Sequence, residues 1–565
     1  MKILLTAINA KYIHSNLAVY SIRAYAGKHG RGVRLAEYTI NHRVDFILEE
    51  IYRQKPDVLV FSCYIWNIEY VKELAGEFHK LCPEVPIWAG GPEVSFETEK
   101  FLRENPAFTG VMMGEGEQTF CDLCGYYEGD VGLGGIEGIT CRSADGGIEI
   151  HPLTKLLPMD EIPFCYSDMT DFKHRIIYYE SSRGCPFSCT YCLSSVDKTL
   201  RFRSLQTVFG ELQFFLDKKA PQVKFVDRTF NCKHSHALAI WKYIKEHDNG
   251  VTNFHFEISA DLLNEEELEL ISEMRPGLIQ LEIGVQSTHS ETIREIHRTM
   301  RLPEVKRAVK RVQLGKNIHQ HLDLIAGLPL EDYGTFRKSF DEIYALRPQQ
   351  LQLGFLKVLK GSYMYEYAAD YGLVYRSKAP YEVLSTKWLS FDEMLEIRLV
   401  EEMLELHYNS GQFVTALAVL EKCYDSAFQM FLDMGIFYRR KGYLNCSHSR
   451  VRRTEIFLEF ALSVDAGGEK LYQEALIFDL YKIEKSKSRP TWAADLAGYR
   501  KLTARYLREQ GLEKKYCHIE PFFYLDISTM GIAREREEAP QWLLFDYENR
   551  SPLTNEADIR RVNIE

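Results

Sequence analysis

Three closely spaced cysteines are the part of this sequence best suited to chemistry. They are Cys185, Cys189 and Cys192, separated by three and two residues. Because neighbouring thiolates repel one another, such a group is stable only when a cation or a metal cluster binds it. The spacing therefore predicts a metal centre in the loop that begins at Gly184.

The number of cysteines helps to choose between kinds of metal centre. A structural zinc site normally has four protein ligands, and no matching cysteine pair lies near the triple. A [4Fe–4S] cluster held by three cysteines leaves one iron open to a substrate or cosubstrate. We favour the cluster; structural zinc and three separately buried thiols are the alternatives.

The elements around the triple alternate between apolar strands and helices. Six such units, each about the size of a βα repeat, predict a partial (β/α)6 barrel over residues 176–364. Chemistry in such barrels lies at the carboxyl ends of the strands. The predicted strands are 176–181, 223–227, 254–260, 278–285, 319–325 and 350–358.

The amino-terminal 125 residues predict a second α/β domain. Continuous apolar strands alternating with helices are typical of a doubly wound parallel sheet, covered on both faces. Residues 126–175 have only weak strand patterns and are interpreted as a linker. The predicted strands are 2–8, 33–40, 57–63, 86–89 and 111–113, and the predicted helices are 16–29, 44–54 and 68–81.

The carboxyl-terminal part, residues 365–565, is predicted to be a third, mainly helical domain. Helical patterns cover residues 391–407 and 414–430. Strand patterns cover residues 518–527 and 541–547. The whole chain is thus predicted to be an α/β protein of three domains.

Composition excludes several classes of protein. The chain is 45% hydrophobic and 26% charged, as in folded proteins, and its net charge of −11 excludes a globally basic nucleic-acid binder. No apolar run reaches the length of a membrane helix, so we expect a cytoplasmic protein without membrane contact. The odd number of cysteines, thirteen, argues against a disulfide framework.

The cysteine triple after the first barrel strand resembles the defining motif of the radical SAM superfamily. The resemblance implies a [4Fe–4S] cluster whose open iron binds S-adenosylmethionine (SAM). An electron from a donor such as flavodoxin or ferredoxin then generates a 5′-deoxyadenosyl radical. The family's Gly-Gly-Glu is replaced here by Asp227-Arg228-Thr229. The SAM contacts implied by position are Tyr191, Asp227, Glu257, Glu282, Gln286 and Asp323.

The amino-terminal domain resembles the cobalamin-binding domain of cobalamin-dependent radical SAM enzymes. Its polar and glycine-rich motifs fall at strand ends, where doubly wound sheets bind ligands. The Asp-x-His-x-x-Gly motif that supplies an axial histidine is absent, so His14 is not predicted to ligate cobalt. A domain that no longer binds cobalamin is the alternative. The implied contacts are Asn9, His14, Ser62, Tyr64, Gly90, Gly91, Pro92, Glu93, Glu115 and Gly116.

These resemblances predict a cobalamin-dependent radical SAM enzyme, which most commonly methylates an unactivated carbon. The domain order is also similar to a branch with a carboxyl-terminal domain of unknown function. No substrate and no catalytic side chain is assigned. One alternative is a cobalamin-free radical SAM enzyme that modifies RNA, and another is a non-catalytic cobalamin- or cluster-binding protein. The basic segment 439–453, with six Arg or Lys and no acid, predicts an anionic ligand or RNA.

Overall fold

The computed structural model describes residues 1–143, 145–526 and 539–564 as two compact units. The first unit contains Met1–Ile318, Gly327–Glu331 and Gly354–Ser390. The second contains His319–Ala326, Asp332–Leu353 and the chain from Phe391. Within the described residues, no helix is long and apolar enough to cross a membrane.

The chain begins with the predicted doubly wound sheet. Five parallel strands lie in the order β2-β1-β3-β4-β5. Every side chain of β1 and β3 is buried, because helices cover both faces of the sheet. The strands are β1 Ile3–Asn9, β2 Val33–Thr39, β3 Val58–Ser62, β4 Ile87–Gly90 and β5 Gly110–Met112. The helices are α1 Leu17–Lys28, α2 Val44–Gln54, α3 Ile68–Leu81, α4 Thr98–Glu104 and α5 Glu117–Glu128.

The predicted linker contributes two further strands to this sheet. β6 (Ile139–Arg142) and β7 (Ile148–His151) pair antiparallel beyond β5. β7 is an edge strand whose residues are all at least partly exposed, so its sequence lacks the apolar run that marks a buried strand. This explains why the sequence pattern there is weak.

The first barrel strands follow in the same unit, parallel and in the order β8-β11-β12-β13. Apolar side chains on one face are buried, and polar side chains occupy the other. The strands are β8 Ile177–Tyr179, β9 Ser182–Arg183, β10 Arg201–Phe202, β11 Gln222–Phe225, β12 Asn253–Ile258 and β13 Ile279–Gln286. The helices are α6 Leu205–Asp217, α7 His234–Glu246, α8 Glu265–Ser272, α9 Ser290–Glu295 and α10 Leu302–Gly315.

The two last predicted barrel strands are also present. They are β14 (His319–Ala326) and β15 (Gln350–Phe355), with α11 (Tyr333–Tyr344) between them in the chain. The short elements α12 (Tyr363–Glu366), β16 (Val374–Tyr375) and β17 (Val383–Ser385) belong to the first unit. There the Tyr381 hydroxyl donates to Glu93 over 2.8 Å.

The second unit is mainly helical, as predicted, and ends in an antiparallel three-stranded sheet. A π-helical segment, Leu404–Asn409, continues α13. Residue 527 of the predicted strand 518–527 lies outside the described residues. The helices are α13 Phe391–Met403, α14 Val414–Leu420, α15 Ala427–Lys441, α16 Arg450–Val464, α17 Glu469–Ile483 and α18 Arg500–Glu509. The strands are β18 Cys517–Phe522, β19 Gln541–Arg550 and β20 Ala557–Val562.

The prediction of one helix over residues 414–430 is wrong. Helix α14 ends at Leu420, and α15 begins at Ala427 after a break. Ser426 caps α15 by accepting a hydrogen bond from the Gln429 amide. Asp341, on α11, accepts from the Ser426 hydroxyl at 2.7 Å and from the Phe428 amide at 2.8 Å. This distant carboxylate stabilises the new helix start, which the local apolar pattern does not reveal.

Candidate active site

The cysteine triple lies in a loop closed by the antiparallel strands β9 and β10. Cys185 and Cys189 are buried, and Cys192 is partly exposed. Gly184 has a φ of 88°, and a Cβ there would collide with the carbonyl oxygen of Thr199. Glycine is therefore required where the chain turns into the loop.

A partly buried arginine that the sequence analysis did not select lies beside the loop. Arg298 follows α9, and its Nη1 lies 3.8 Å from the Cys189 sulfur and 3.2 Å from the Tyr191 hydroxyl. Its Nη2 donates to the carbonyl oxygen of Gly284. Burial raises the pKa of the Cys189 thiol, and the charge of Arg298 opposes that rise. Arg298 therefore brings positive charge to this end of the barrel.

Gln286, predicted to contact SAM, ends β13 in a strained conformation. Its φ is 73°, in the left-handed region that favours glycine. Its side-chain Oε1 is buried without a hydrogen-bond partner in the described structure, and so is Nε of Arg298. Unsatisfied buried polar atoms of this kind are typical of ligand sites.

Asp227 lies at the carboxyl end of β11 and is fully buried. Its carboxylate accepts from the hydroxyls of Ser181 and Ser182, both at 2.6 Å, and from the Ser181 amide at 3.0 Å. Burial raises the pKa of Asp227 to about 6, although these donors oppose the rise. Two residues later, the Thr229 hydroxyl lies 3.8 Å from the Cys185 sulfur. Asp227 thus joins the ends of two neighbouring strands beside the cysteine loop.

The polar face of the barrel strands carries an ionic group. Lys224 Nζ lies 2.8 Å from Glu282 and 3.6 Å from Glu257. His255 Nε2 lies 3.0 Å from Glu282. Burial alone would raise the pKa of Glu282, but His255 and Lys224 lower it to about 2. Asp323 belongs to the second unit, where its carboxylate lies 2.9 Å from His321 Nε2.

The predicted cobalamin contacts of the amino-terminal domain gather at the carboxyl edge of its sheet. Gly91 has a φ of 117°, and a Cβ there would collide with the carbonyl oxygen of Cys63. Asn9 holds the loop after β1, because its Nδ2 donates to the His14 carbonyl at 3.3 Å and to Glu37 at 3.0 Å. The remaining contacts at this edge are Ser62, Gly90, Pro92 and Gly116, which end or follow β3, β4 and β5.

An aromatic surface that the sequence analysis recognised only in part lies at the same edge. The rings of Tyr64 and Trp66 stack with centroids 4.4 Å apart. Trp66 is 40% exposed, and Tyr12 of the loop after β1 is 61% exposed. Burial raises the pKa of the Tyr64 hydroxyl, and the barrel residue Arg228 opposes this most strongly. Trp66 was not predicted, because it lies two residues beyond Tyr64 and no spacing rule distinguishes it there.

The other predicted contacts at this edge bind protein groups. His14 Nδ1 is hydrogen-bonded to the Tyr178 hydroxyl of β8 at 2.7 Å, and burial lowers the pKa of this histidine. The buried Glu93 accepts from Tyr381. Glu115 pairs with Arg183 at 3.0 Å and also with Arg201, at the two ends of the cysteine loop.

Three known families match successive parts of the chain. Residues 3–124 match the B12 binding domain, and residues 179–343 match the radical SAM superfamily. Residues 369–545 match a protein family of unknown function, DUF4080. The chain therefore combines a B12 binding domain with a radical SAM domain. The cysteine triple and the strand-end motifs predicted this combination, and that prediction is confirmed.

A curated relative of this chain is the cobalamin-dependent radical SAM methyltransferase TokK of Streptomyces tokunonensis. It is 26% identical over 319 residues, which are 50% of this chain and 44% of TokK. The chain thus spans less than half the length of this relative.

Solved structures support the fold. The radical SAM methyltransferase TsrM from Kitasatospora setae, with cobalamin and a [4Fe–4S] cluster bound, superposes with a TM-score of 0.56 at 15% identity. The match covers 67% of this chain and 76% of TsrM. The cobalamin-dependent SAM radical enzyme OxsB, with aqua-cobalamin bound, has a TM-score of 0.59 at 15% identity over 85% of this chain and 80% of OxsB. The predicted α/β fold class is confirmed.

Proposed function

We propose that this chain is a cobalamin-dependent radical SAM enzyme that methylates an unactivated carbon of its substrate. The proposal rests on the contact, within the first unit, between the B12 binding domain and the cysteine loop. The strand-end loop of the B12 binding domain contacts both ends of the cysteine loop through Glu115, Arg183 and Arg201. The named methyltransferases TokK and TsrM support the reaction type.

The residues at the barrel end fit a cluster and SAM. Cys185, Cys189 and Cys192 supply three thiolates, and a fourth iron then stays open for SAM. Arg298 is suited to the SAM carboxylate, because its buried Nε has no hydrogen-bond partner and a guanidinium binds carboxylates well. The unpartnered Gln286 Oε1 is suited to an ammonium or hydroxyl donor of SAM.

The strand ends of the amino-terminal domain fit cobalamin. Gly91 and its neighbours leave the backbone open to a bulky nucleotide tail. The stacked rings of Tyr64 and Trp66 offer an apolar surface to the flat corrin. Because His14 is hydrogen-bonded to Tyr178, its ring nitrogen Nδ1 is already used within the protein.

When bound, the cluster, SAM and cobalamin would supply the electron, the 5′-deoxyadenosyl radical and the methyl group. The residues of the chain hold these groups in order and keep water out. Tyr191 lies against Arg298 and supports this end of the site. Lys224, Glu257 and Glu282 line the polar face of the strands, where they can bind polar groups of SAM or substrate.

Two measurements on the same protein test this function. Anaerobically reconstituted protein, supplied with hydroxocobalamin, should hold about four irons per chain and keep corrin absorbance after gel filtration. Replacing Cys185, Cys189 and Cys192 together by Ala should abolish the bound iron and the cleavage of SAM. The paired variant Cys121→Ala/Cys124→Ala, in buried thiols of α5, should keep both.

The results separate the three candidate functions. Iron without corrin would favour a cobalamin-free radical SAM enzyme. Corrin and iron without any SAM cleavage by reduced protein would favour a binding protein. Stoichiometric zinc in the wild-type protein would overturn the cluster assignment.

Two other sequence predictions stay predictions: the cytoplasmic location and an anionic ligand or RNA at residues 439–453. The fold provides acids for three of the six basic side chains in that segment: Lys441 pairs with Glu459, Arg450 with Glu484 and Arg452 with Glu455. Salt-dependent binding of RNA, weakened by neutralising Arg450, Arg452 and Arg453, would support the ligand. If the variant binds RNA as the wild type does, the segment 439–453 is only a solvated surface.

A further inference from the structure

The base of the cysteine loop has an unusual pair of like charges. Arg183 on β9 and Arg201 on β10 lie directly opposite each other in the antiparallel ladder. Opposite residues in such a ladder project from the same face, and like charges there are destabilising. The two arginine side chains are only 15% and 14% exposed, so water screens their repulsion weakly. The closure of the loop therefore needs negative charge from elsewhere.

That negative charge comes mainly from the B12 binding domain. Glu115 lies between the two arginines and pairs with both of them. Glu117 pairs with Arg183 at 2.6 Å, and Glu180, three residues before Arg183, lies 2.8 Å from its Nε. Although burial alone would raise the pKa of Glu117, Arg183 lowers it, so this carboxylate is charged.

The positions of the carboxylates give this network a specific role. Glu115 lies in the strand-end loop after β5, and Glu117 begins α5. Arg183 and Arg201 bracket all three cysteines, and Arg201 also donates to the carbonyl oxygen of Leu157. The network thus joins the edge suited to cobalamin directly to the loop suited to the cluster.

We propose that Arg183, Arg201 and Glu115 are positioning residues that close the cysteine loop against the B12 binding domain and set the separation of the two cofactors. The effect on cofactor separation rests on the proposed function, whereas the closure of the loop does not. Neither arginine is assigned a contact with a reacting atom. They act through the loop that they hold.

Hydrogen exchange on the cofactor-free protein tests the closure. Glu115→Gln and Arg201→Gln should each accelerate amide exchange of residues 184–200 by roughly tenfold or more. Glu115→Gln leaves Arg201 without its carboxylate, and Arg201→Gln leaves Glu115, Glu117 and Glu180 to share the single charge of Arg183. Arg201→Lys keeps the charge but loses the forked geometry, so it should give a smaller increase. These variants change the network on both the B12 binding domain and the cysteine loop, and they leave Arg183 with its pairs to Glu117 and Glu180.

The control is Arg31→Gln, which breaks the ion pairs with Glu128 and Asp130 at the far end of α5. It should leave exchange of the loop unchanged. The second measurement uses protein that holds both the cluster and cobalamin. The distribution of dipolar couplings between the reduced cluster and cob(II)alamin, measured by electron paramagnetic resonance, should broaden in Glu115→Gln and Arg201→Gln but not in Arg31→Gln. Exchange and coupling equal to those of the control would overturn the proposal. A wild-type protein without either cofactor would overturn the proposed function, while the exchange result would still decide the closure.

Discussion

Gln286 has a strained backbone conformation and a buried side-chain oxygen without a hydrogen-bond partner in the described residues. Its φ of 73° is a conformation that costs a non-glycine residue about 1 kcal/mol or more. We therefore expect Gln286→Gly to raise the free energy of unfolding by about 1 kcal/mol and to weaken SAM binding about tenfold, because the amide is lost. Gln286→Ala should weaken SAM binding equally without the gain in stability. Denaturation and equilibrium SAM binding measure both effects, and tight SAM binding by either variant would contradict the assignment.

Arg298 is the second residue whose surroundings indicate a ligand. A guanidinium that binds a carboxylate typically contributes about 1.5–3 kcal/mol. Arg298→Gln should therefore raise the dissociation constant of SAM by roughly 10- to 100-fold in reconstituted protein. Arg294→Gln, on the exposed side of α9, is the matched control and should bind SAM as the wild type does. If the two variants bind SAM with equal affinity, Arg298 does not contact SAM.

At the scale of elements, the strand ends of the amino-terminal sheet depend on the close approach of two loops. Gly91→Ala would bring a Cβ against the Cys63 carbonyl in a conformation that disfavours a side chain. We expect this variant to fold less stably by about 1–3 kcal/mol and to lose corrin absorbance on gel filtration.

The matched control for this variant is Gly27→Ala in helix α1. A Cβ at Gly27 meets no atom within 4 Å. Alanine in an exposed helix should stabilise the protein by up to about 1 kcal/mol and leave cobalamin binding unchanged. Full corrin retention by Gly91→Ala would show that the strand-end geometry does not govern binding.

For the whole molecule, the pH dependence of unfolding contains a contribution from the buried Asp479. Its carboxylate accepts from the amides of Thr415 and Ala416 at the start of α14. Burial raises its pKa to about 6, above the ordinary value of about 3.9. Between these values the folded state binds more protons than the unfolded state, so this contribution to stability falls as the pH rises.

The expected loss for Asp479 is up to about 3 kcal/mol between pH 4 and pH 7. Asp479→Asn removes the titrating group, and chemical denaturation at both pH values should show a smaller decline in stability for the variant than for the wild type. Parallel declines would contradict a raised pKa for Asp479 in the folded protein.

The sequence by itself determined most elements and the cysteine triple. Buried parallel strands such as Ile3–Asn9 and Val58–Ser62 are continuous apolar runs, and the cysteine spacing is local, so both can be read along the chain. The strand-end positions of Gly91 and Gln286 followed from the same alternation. The family was predicted from these features together.

Only the tertiary structure decided which polar side chains meet. Arg298 is 109 residues from Cys189, and Arg201 is 86 residues from Glu115. The break before Ala427 depends on Asp341, 85 residues away from Ser426. Such contacts arise because burying a charged or polar group is unfavourable unless the fold supplies a partner for it. Since that partner comes from a distant element, no local spacing in the sequence reveals it.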